Sequence, residues 1–456
     1  MAIPLLGRLN LLEWPLVIIS FLFAYIEFII SIITKCLPNS IIHLFTNLLN
    51  QFYTFFILSP NDQEILAIPK TKEYIDMLKL RNQIKNCESI LDIGAIFGYE
   101  IDDHIVETRD GYLLCLHRIK PKQQGAPIVY LHHGLLMCSD IWCTNIEKHK
   151  NLPFLLHDLG FDVFIGNNRG NKYSTKHIRL KPNDIKFWDF SIDEFAIYDI
   201  PDSINYILNY TNQKSLTYIG FSQGSAQAFA ALSINPLLNK QIKLFIALSP
   251  AMTPRGLHHK VVDALIKTSP NIMYLIFGKK TLLPTASFWE SIIYPPLFVK
   301  IIDLSNEILF NWKSKNINFN QKISSYSHLY SPTSVKSIVH WFQIIRNSNF
   351  QMFDEDLSIT NTFSKPFKTP NFPSRTNIKV PIRLLYGTID SLVDIDEMLK
   401  LLPTDDIKAI GIDEHEHLDL IWGDDIEELV YPHILKFLDI KNQIVGDLEN
   451  EKVSSF

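Results

Sequence analysis

The sequence predicts an α/β fold in which a mostly parallel sheet is flanked by helices. Short apolar runs alternate with helical stretches through much of the chain, which is the pattern of buried parallel strands and their crossover helices. About 130 residues separate Pro250, where one such run ends, from Pro381, where the next begins. A structureless loop of that length is implausible in a compact domain, so we expect a long helical insertion.

The predicted strands begin with a hairpin, Ile105–Thr108 and Tyr112–Leu116, around the turn Asp110-Gly111. The runs that predict buried strands are Ile128–Leu131, Asp162–Ile165, Leu216–Ile219, Leu244–Leu248, Ile382–Tyr386 and Ile407–Ile410. Aromatic helical segments fill the insertion, about residues 251–380, and we expect it to cap the carboxyl edge of the sheet.

These patterns divide the chain into four parts. The large α/β domain is predicted over residues 93–440. A mixed, charged and partly helical linker is predicted at 59–92, and a short, charged, disordered tail at 441–456. Residues 1–58 are predicted to form a hydrophobic anchor embedded in a membrane.

The anchor prediction depends on one long apolar run. Residues 11–33 are almost wholly apolar, and 23 residues suffice for a helix to span about 30 Å of hydrocarbon. Glu27 disturbs a simple span, because an acidic group costs on the order of 3 kcal/mol at a bilayer centre. A second apolar stretch, 41–58, follows the turn Pro38-Asn39, so a helical hairpin is the alternative to a single span.

Two other interpretations of the amino terminus are less favoured. Only Arg8 is basic before the apolar run and no A-x-A-like cleavage site follows it, which argues against a secretory signal peptide. A buried helix of a soluble domain is disfavoured by the length of the run. A hairpin returns both ends to the same side, as a phospholipid monolayer over an oil core requires.

Composition excludes several classes of function. The net charge is −5, from 43 basic and 48 acidic residues, which leaves no basic footprint for nucleic acid. The five cysteines are odd in number and lack C-x-x-C spacing, so a disulfide framework or a zinc site is not expected and a reducing compartment is favoured. We expect neither a metal nor a cofactor.

Ser222 is the predicted nucleophile. It lies in a G-x-S-x-G segment, Gly220 to Gly224, between the predicted strand Leu216–Ile219 and a helix-prone run. At a tight strand-to-helix turn the two glycines leave room for a strained serine, whose hydroxyl then stands above the sheet at the positive end of the helix. The alternative is a glycine-rich corner with an inert serine.

A serine hydroxyl needs a base, and in this layout the expected chain order is serine, acid, histidine. Asp390 lies just after the strand Ile382–Tyr386 and is the predicted acid. Asp394 is the alternative acid, although its position is more typical of a solvated loop or helix-cap residue. His417 is the predicted general base and His415 the alternative. A metal site at this H-x-H pair is disfavoured because other ligands do not cluster nearby.

Two backbone N–H groups are predicted to bind the oxyanion of a tetrahedral intermediate. One belongs to Gln223, directly after the nucleophile, and the other to Leu135, in the loop after the strand Ile128–Leu131. Each such donor typically contributes about 3 kcal/mol to the transition state. By itself the sequence His132-His133-Gly134 would be interpreted as a strand-end turn with partly exposed imidazoles.

Several segments between about residues 90 and 440 resemble the acid lipase family of gastric and lysosomal lipases, which has the α/β-hydrolase fold. They are HHGLL (132–136), GNNRGNKYS (166–174), FWDFSIDEFAIYDIP (187–201), GFSQGS (220–225), GTIDSLVD (387–394) and EHLDLIWG (416–423). Three further segments are similar to the membrane-anchored sterol ester hydrolases of budding yeasts: LLMCSDIWCTNIEKHKNLPF, LFNWKS and SPTSVKSIVHWFQI. The segment MAIPLLGRL and the apolar run after it resemble the lipid-droplet member of that group.

This resemblance implies a serine esterase that cleaves steryl esters to sterol and fatty acid, with triacylglycerol as a minor substrate. The family pattern assigns the nucleophile to Ser222, the acid to Asp390 and the base to His417, with Leu135 and Gln223 as oxyanion donors, in agreement with the residues chosen above. It also implies a protein held at the phospholipid surface of a lipid droplet or the endoplasmic reticulum by its apolar amino terminus.

Three rival functions remain open at this point. A lipase that prefers triacylglycerol would use the same three residues. A lipid-droplet scaffold with an inactive hydrolase domain is disfavoured by the complete set of predicted catalytic residues. A peptidase on the same fold is disfavoured by the apolar amino terminus and the aromatic insertion.

Overall fold

A nine-stranded, mostly parallel sheet forms the centre of the protein. The computed structural model describes residues 14–56, 71–256, 259–286, 289–290, 293–355 and 369–440. The strands are β1 Ile101–Glu107, β2 Tyr112–Ile119, β3 Ile128–His132, β4 Asp162–Ile165, β5 Lys176–His177, β6 Leu216–Phe221, β7 Ile242–Leu248, β8 Ile382–Gly387 and β9 Ile407–Ile412.

The strand order is β1-β2-β4-β3-β6-β7-β8-β9, and β5 pairs with β2. Every pair from β4 to β9 is parallel, whereas β2 runs antiparallel to β1, β4 and β5. The predicted α/β fold with a mostly parallel sheet is therefore confirmed. Strand β5 is an addition, because two residues are too short to give a periodic signal.

Helices cover the sheet and fill the insertion. They are α1 Trp14–Cys36, α2 Asn39–Phe56, α3 Lys72–Lys85, α4 Ile90–Ile96, α5 Leu152–Asp158, α6 Ile192–Glu194, α7 Ile200–Thr211, α8 Gln223–Ile234, α9 Leu238–Gln241, α10 Lys260–Lys267, α11 Pro270–Phe277, α12 Pro295–Phe310, α13 Phe319–Tyr326, α14 Val335–Asn347, α15 Ser374–Asn377, α16 Ile395–Leu401, α17 Asp419–Trp422, α18 Ile426–Leu429 and α19 Tyr431–Phe437. Helices α10 to α15 lie between β7 and β8.

Apolar side chains cover both faces of the sheet. On one face Leu131 and Ile219 belong to a cluster that includes Tyr326 of α13. On the other face Tyr218 belongs to a cluster that includes Trp341 of α14. All six residues of β6 are buried, which explains why this central strand reads as an almost continuous apolar run. The insertion thus contributes to the same core as the sheet.

The parallel register brings the loops that carry the predicted site residues to one edge of the sheet. Leu131 of β3 pairs with Ile219 of β6, Phe221 pairs with Leu248 of β7, and Leu248 pairs with Leu385 of β8. Because parallel strands end at a common edge, the loops after β3, β6, β8 and β9 converge there.

The amino-terminal helix α1 packs against the insertion. Val17 is buried in a cluster with Leu265 of α10 and Met273 of α11. Thr285 of the insertion donates a 2.5 Å hydrogen bond from Oγ1 to Oε1 of Glu27. The acidic group inside the apolar run therefore has a protein partner.

The prediction of an N-terminal membrane-embedded segment is wrong. In the described parts of the chain, which include helices α1 and α2, no helix is both long and apolar enough to cross a bilayer. Part of the apolar face of this run is covered by protein instead, since Val17, Phe21 and Ala24 pack in one cluster with residues of α10 and α11. The predicted lipid-droplet or endoplasmic-reticulum anchoring through this segment is withdrawn with it.

Helix α3 lies within the predicted linker and contacts the insertion, whereas α4 begins in that linker at Ile90 and ends beyond it at Ile96. Arg81 of α3 donates from Nη1 to Oδ1 of Asn320 at 2.7 Å, and His328 lies 2.8 Å through Nε2 from the carbonyl oxygen of Ile84. The division of the chain at residues 59–92 stays a prediction. Residues 57–70 and the predicted tail, 441–456, lie outside the described residues.

Buried His340 of α14 predicts a pH dependence of stability. Its Nε2–H donates to the carbonyl oxygen of Gln351 at 2.9 Å, whereas Nδ1 has no hydrogen-bond partner in the described part of the chain. Burial lowers the pKa of His340 to about 4. Between pH 6.5 and 4 the unfolded chain therefore binds a proton that the folded chain does not, and stability falls as the pH falls.

We expect the free energy of unfolding of the wild type to decrease between pH 6.5 and 5 by roughly 2 kcal/mol more than that of His340→Gln, at about 1.4 kcal/mol per pH unit. Urea titrations at several pH values measure this difference. Equal pH slopes for the two proteins would contradict the prediction.

Candidate active site

Ser222 lies on a strained turn between β6 and α8. Its φ of 52° and ψ of −120° are unfavourable for a residue with a Cβ atom. The turn is held by its backbone, since the N–H of Ser222 donates to Leu248 O at 3.0 Å and the Ser225 hydroxyl donates to Ser222 O at 2.5 Å. Ser222 remains half-buried at the carboxyl edge of the sheet.

The two glycines of the turn are required by close backbone contacts. A Cβ atom on Gly224 would lie 2.4 Å from the carbonyl oxygen of His132 and 2.7 Å from that of His133. A Cβ atom on Gly220 would lie 2.8 Å from backbone atoms of Gly224. Helix α8 can therefore cross the end of β3 only because position 224 has no side chain.

Asp390 and His417 are brought together from the loops after β8 and β9. Nδ1 of His417 lies 2.6 Å from Oδ2 of Asp390, and both side chains are almost fully buried. The other carboxylate oxygen of Asp390 accepts from the N–H of Leu392 at 3.0 Å. The ring of Phe221, next to Ser222 in the chain, lies 5.2 Å from the ring of His417.

A third glycine brings these two loops together. A Cβ atom on Gly387, at the end of β8, would lie 2.0 Å from the carbonyl oxygen of His415. The N–H of Ile389 also donates to His415 O at 3.3 Å. This close approach places the segment around Asp390 against the segment that carries His417.

The two runner-up residues have partners elsewhere. Asp394 accepts from the N–H of Glu397 at 3.3 Å as the N-cap of α16, and it forms an ion pair with Arg255. His415 lies 2.9 Å through Nε2 from Asp425 and 2.7 Å through Nδ1 from the carbonyl oxygen of Asp413. The imidazoles of His415 and His417 thus have different carboxylate partners.

The loop after β3 passes directly beside Ser222. A Cβ atom on Gly134 would lie 3.1 Å from the Cβ atom of Ser222. Leu135 and Gln223, the two predicted oxyanion donors, flank this contact in the chain. Within the described ranges no protein acceptor takes a hydrogen bond from the N–H of either residue.

Two buried neutral histidines hold the loop after β3 in place. Nδ1 of His133 donates to Gly134 O at 2.7 Å, and its Nε2 accepts from the N–H of Asn168 at 3.1 Å. Nε2 of His132 donates to Oδ1 of Asn168 at 2.8 Å. Burial lowers the pKa of His133 to about 3 and that of His132 to about 4, so both rings remain neutral at pH 7. They are buried, and the interpretation of partly exposed imidazoles is wrong.

The insertion supplies residues that the sequence analysis did not single out. Trp341 of α14 donates from Nε1 to Oε1 of Gln223 at 2.7 Å. Trp312 stacks on His417 with 5.0 Å between ring centroids and 8° between ring planes. Both tryptophans lie in segments that carried the family resemblance, but no local spacing rule connects them to Ser222.

Two groups of residues within the described ranges could approach one metal ion, and neither includes a predicted site residue. The first is Asp103, Cys115 and His117, and the second is Glu147, His149 and Glu427. Burial raises the pKa of Cys115 to about 12, which keeps its thiol protonated. Hydrogen bonds to its two glutamates raise the pKa of His149 to about 9, so this imidazole is a cation already. In either group, therefore, a metal ion would have to displace a proton before it could bind.

The close crossing at Gly224 generates a prediction about folding. We expect Gly224→Ala to destabilise the protein by about 3 kcal/mol or more, because the backbone of β3 has to move. Gly125→Ala is the matched control, since Gly125 has a φ of 76° but no atom within 4 Å of an added Cβ. That variant should lose only about 1 kcal/mol through backbone strain. Urea unfolding measures both, and equal losses would argue against the steric requirement.

Family models match most of the domain. A model described as "alpha/beta hydrolase fold" matches residues 127–424. A second, described as "partial alpha/beta-hydrolase lipase region", matches residues 90–146. Together they cover the sheet, the insertion and all five predicted site residues.

Curated relatives are similar over most of the chain. A probable lipase of Schizosaccharomyces pombe is 43% identical over 426 residues, which is 92% of this chain and 92% of the relative. The human lysosomal acid lipase/cholesteryl ester hydrolase is 35% identical over 371 residues, covering 77% of this chain and 90% of the relative. The human gastric triacylglycerol lipase is 33% identical over 362 residues, with the same two coverages. The chain belongs to the α/β-hydrolase family, as one of its lipases and esterases.

Proposed function

We propose that this protein hydrolyses steryl esters to free sterol and fatty acid through a covalent acyl-enzyme, with Ser222 as nucleophile, His417 as general base and Asp390 as the acid that orients it. The observation that supports this most directly is the 2.6 Å contact between His417 Nδ1 and Asp390 Oδ2 at the edge where Ser222 stands on its strained turn. A buried acid, an imidazole and a strained serine at one sheet edge are the parts that acyl transfer needs.

In the first half of the reaction His417 takes the proton of the Ser222 hydroxyl at Nε2, the ring nitrogen that Asp390 does not engage. The Ser222 oxygen attacks the ester carbonyl carbon, and the carbonyl oxygen becomes an oxyanion. The N–H groups of Leu135 and Gln223 would bind that oxygen, and Asp390 stabilises the imidazolium. The imidazolium then gives its proton to the departing sterol oxygen, which leaves an acyl group on Ser222.

In the second half the same groups act on water. Neutral His417 removes a proton from a water molecule, whose oxygen attacks the acyl carbon. The second oxyanion occupies the same position, and its collapse releases the fatty acid while Ser222 recovers its proton from His417.

The choice of steryl esters rests on two kinds of similarity. Three segments, including LFNWKS and SPTSVKSIVHWFQI, resemble yeast sterol ester hydrolases. The name of the human lysosomal relative includes cholesteryl ester hydrolysis. The gastric relative, named a triacylglycerol lipase, is almost as similar. Triacylglycerol is therefore the competing substrate.

Paired substitutions test the proposed acid and base. We expect Asp390→Asn and His417→Gln each to lower kcat by about four orders of magnitude, because the imidazole loses its orientation or is absent. The matched controls are Asp394→Asn and His415→Gln, whose side chains bond to other partners. These controls should keep kcat within a few-fold on a p-nitrophenyl ester. A larger loss in either control than in its partner would reassign that role.

Substrate preference is tested with wild type and Ser222→Ala on cholesteryl oleate and trioleoylglycerol, in matched emulsions at neutral and acidic pH. We expect faster cleavage of cholesteryl oleate, abolished by the substitution because the nucleophile is gone. Released oleate measures both reactions. Faster cleavage of trioleoylglycerol would identify a triacylglycerol lipase with the same residues. Hydrolysis that does not depend on Ser222 would refute the proposed nucleophile, and no hydrolysis would favour an inactive scaffold.

A further inference from the structure

The ring of Trp312 lies flat against the ring of His417. Their planes differ by 8° and their centroids are 5.0 Å apart, and Trp312 is buried. Phe310 stacks on Trp312 with 4.3 Å between centroids. With Phe221 tilted against His417 at 5.2 Å, the imidazole has aromatic contacts from β6 and from the insertion. A ring confined in this way has little freedom to rotate out of its plane.

The loop after β9, which carries His417, also holds the backbone beside Trp312. Both oxygens of the buried Glu416 carboxylate accept backbone N–H bonds at 2.7 Å, one from Lys313 and one from Ser314. Asn316 donates from Nδ2 to the carbonyl oxygen of Glu414 at 2.8 Å. Two backbone bonds to one buried carboxylate, together with the bond from Asn316, fix the position of residues 313–316.

The loop that carries the proposed acid holds the other side of Trp312. Ser391, next to Asp390 in the chain, donates from Oγ to the carbonyl oxygen of Phe310 at 2.7 Å. Residues 310–316 of the insertion, which we call the Trp312 segment, are thus bonded to the chain neighbours of both Asp390 and His417. This part of the insertion is attached to the acid and base loops at several points.

The indole N–H of Trp312 contributes no hydrogen bond to this arrangement. It is buried and has no acceptor among the residues that the structure describes. A buried donor without an acceptor reduces stability. Hydrogen bonding therefore does not account for a tryptophan at this position. The interaction that Trp312 makes with His417 is the stacking of its aromatic face.

We propose that Trp312 is a positioning residue, which fixes the ring plane of His417 so that one nitrogen meets Asp390 while the other faces the reacting groups. The negative face of the indole also favours the imidazolium that forms when Ser222 loses its proton. Glu416 and Ser391 act through the Trp312 segment by holding its backbone. This inference rests on the proposed role of His417 as general base.

Steady-state kinetics on p-nitrophenyl butyrate, a small soluble ester, test the inference in the full-length protein. Trp312→Leu removes the stacked ring, and we expect kcat to fall about tenfold with KM unchanged within twofold. Trp312→Phe keeps a stacked ring and removes the unpaired N–H. It should retain kcat within about threefold and be at least as stable as the wild type.

Two further variants keep the test decisive if Trp312→Leu does not fold. Ser391→Ala removes the bond to Phe310 at an exposed position and should lower kcat about threefold at constant KM. Lys315→Ala changes an exposed side chain of the Trp312 segment and should match the wild type. Wild-type kcat in Trp312→Leu or Ser391→Ala, or an equal loss in Trp312→Phe and Trp312→Leu, would overturn the inference.

Ser222→Ala, measured in the same assay, separates the two proposals. If the wild type shows no turnover that depends on Ser222, the proposed function fails and the positioning role fails with it. If turnover depends on Ser222 and the Trp312 variants do not follow the expected order, only the positioning role is refuted.

Discussion

The close crossing of helix α8 over the end of strand β3 is the constraint on which the site depends. The backbone of Gly224 lies so near the carbonyl oxygens of His132 and His133 that a methyl group has no space there. This contact sets how tightly the chain turns after β6, and the turn forces Ser222 to a positive φ. It also brings the loop that carries Leu135 against the serine. One backbone contact thereby fixes the relative positions of the proposed nucleophile and the proposed oxyanion donors.

Two other features keep this arrangement rigid. The buried histidines after β3 are neutral, and their ring nitrogens bond to the Tyr130 hydroxyl and to backbone and amide groups, so these two rings hold the loop without carrying charge. On the opposite side Trp312 and Glu416 link the insertion to the loop of His417. The insertion is therefore part of the framework that holds the proposed site.

The amino terminus shows the limit of hydropathy as a guide. Residues 11–33 have the length and composition of a span, yet Val17 is buried against α10 and α11 and Glu27 bonds to Thr285. An apolar run in a sequence indicates only that the side chains are more stable when removed from water. In α1 protein covers only part of the apolar surface, since Val17 is buried while Ile18, Leu22 and Phe28 remain exposed.

The sequence by itself determined the α/β class, the strand positions and the candidates Ser222, Asp390 and His417, because these depend on local periodicity, on glycine spacing and on chain order. Only the tertiary structure decided which carboxylate meets which histidine, since Asp390 and Asp394, like His415 and His417, have similar local surroundings. It also decided the contacts of Trp312 and Trp341, because each joins residues about 100 or more positions apart. Such pairings arise from packing between distant elements, and local patterns carry no record of them.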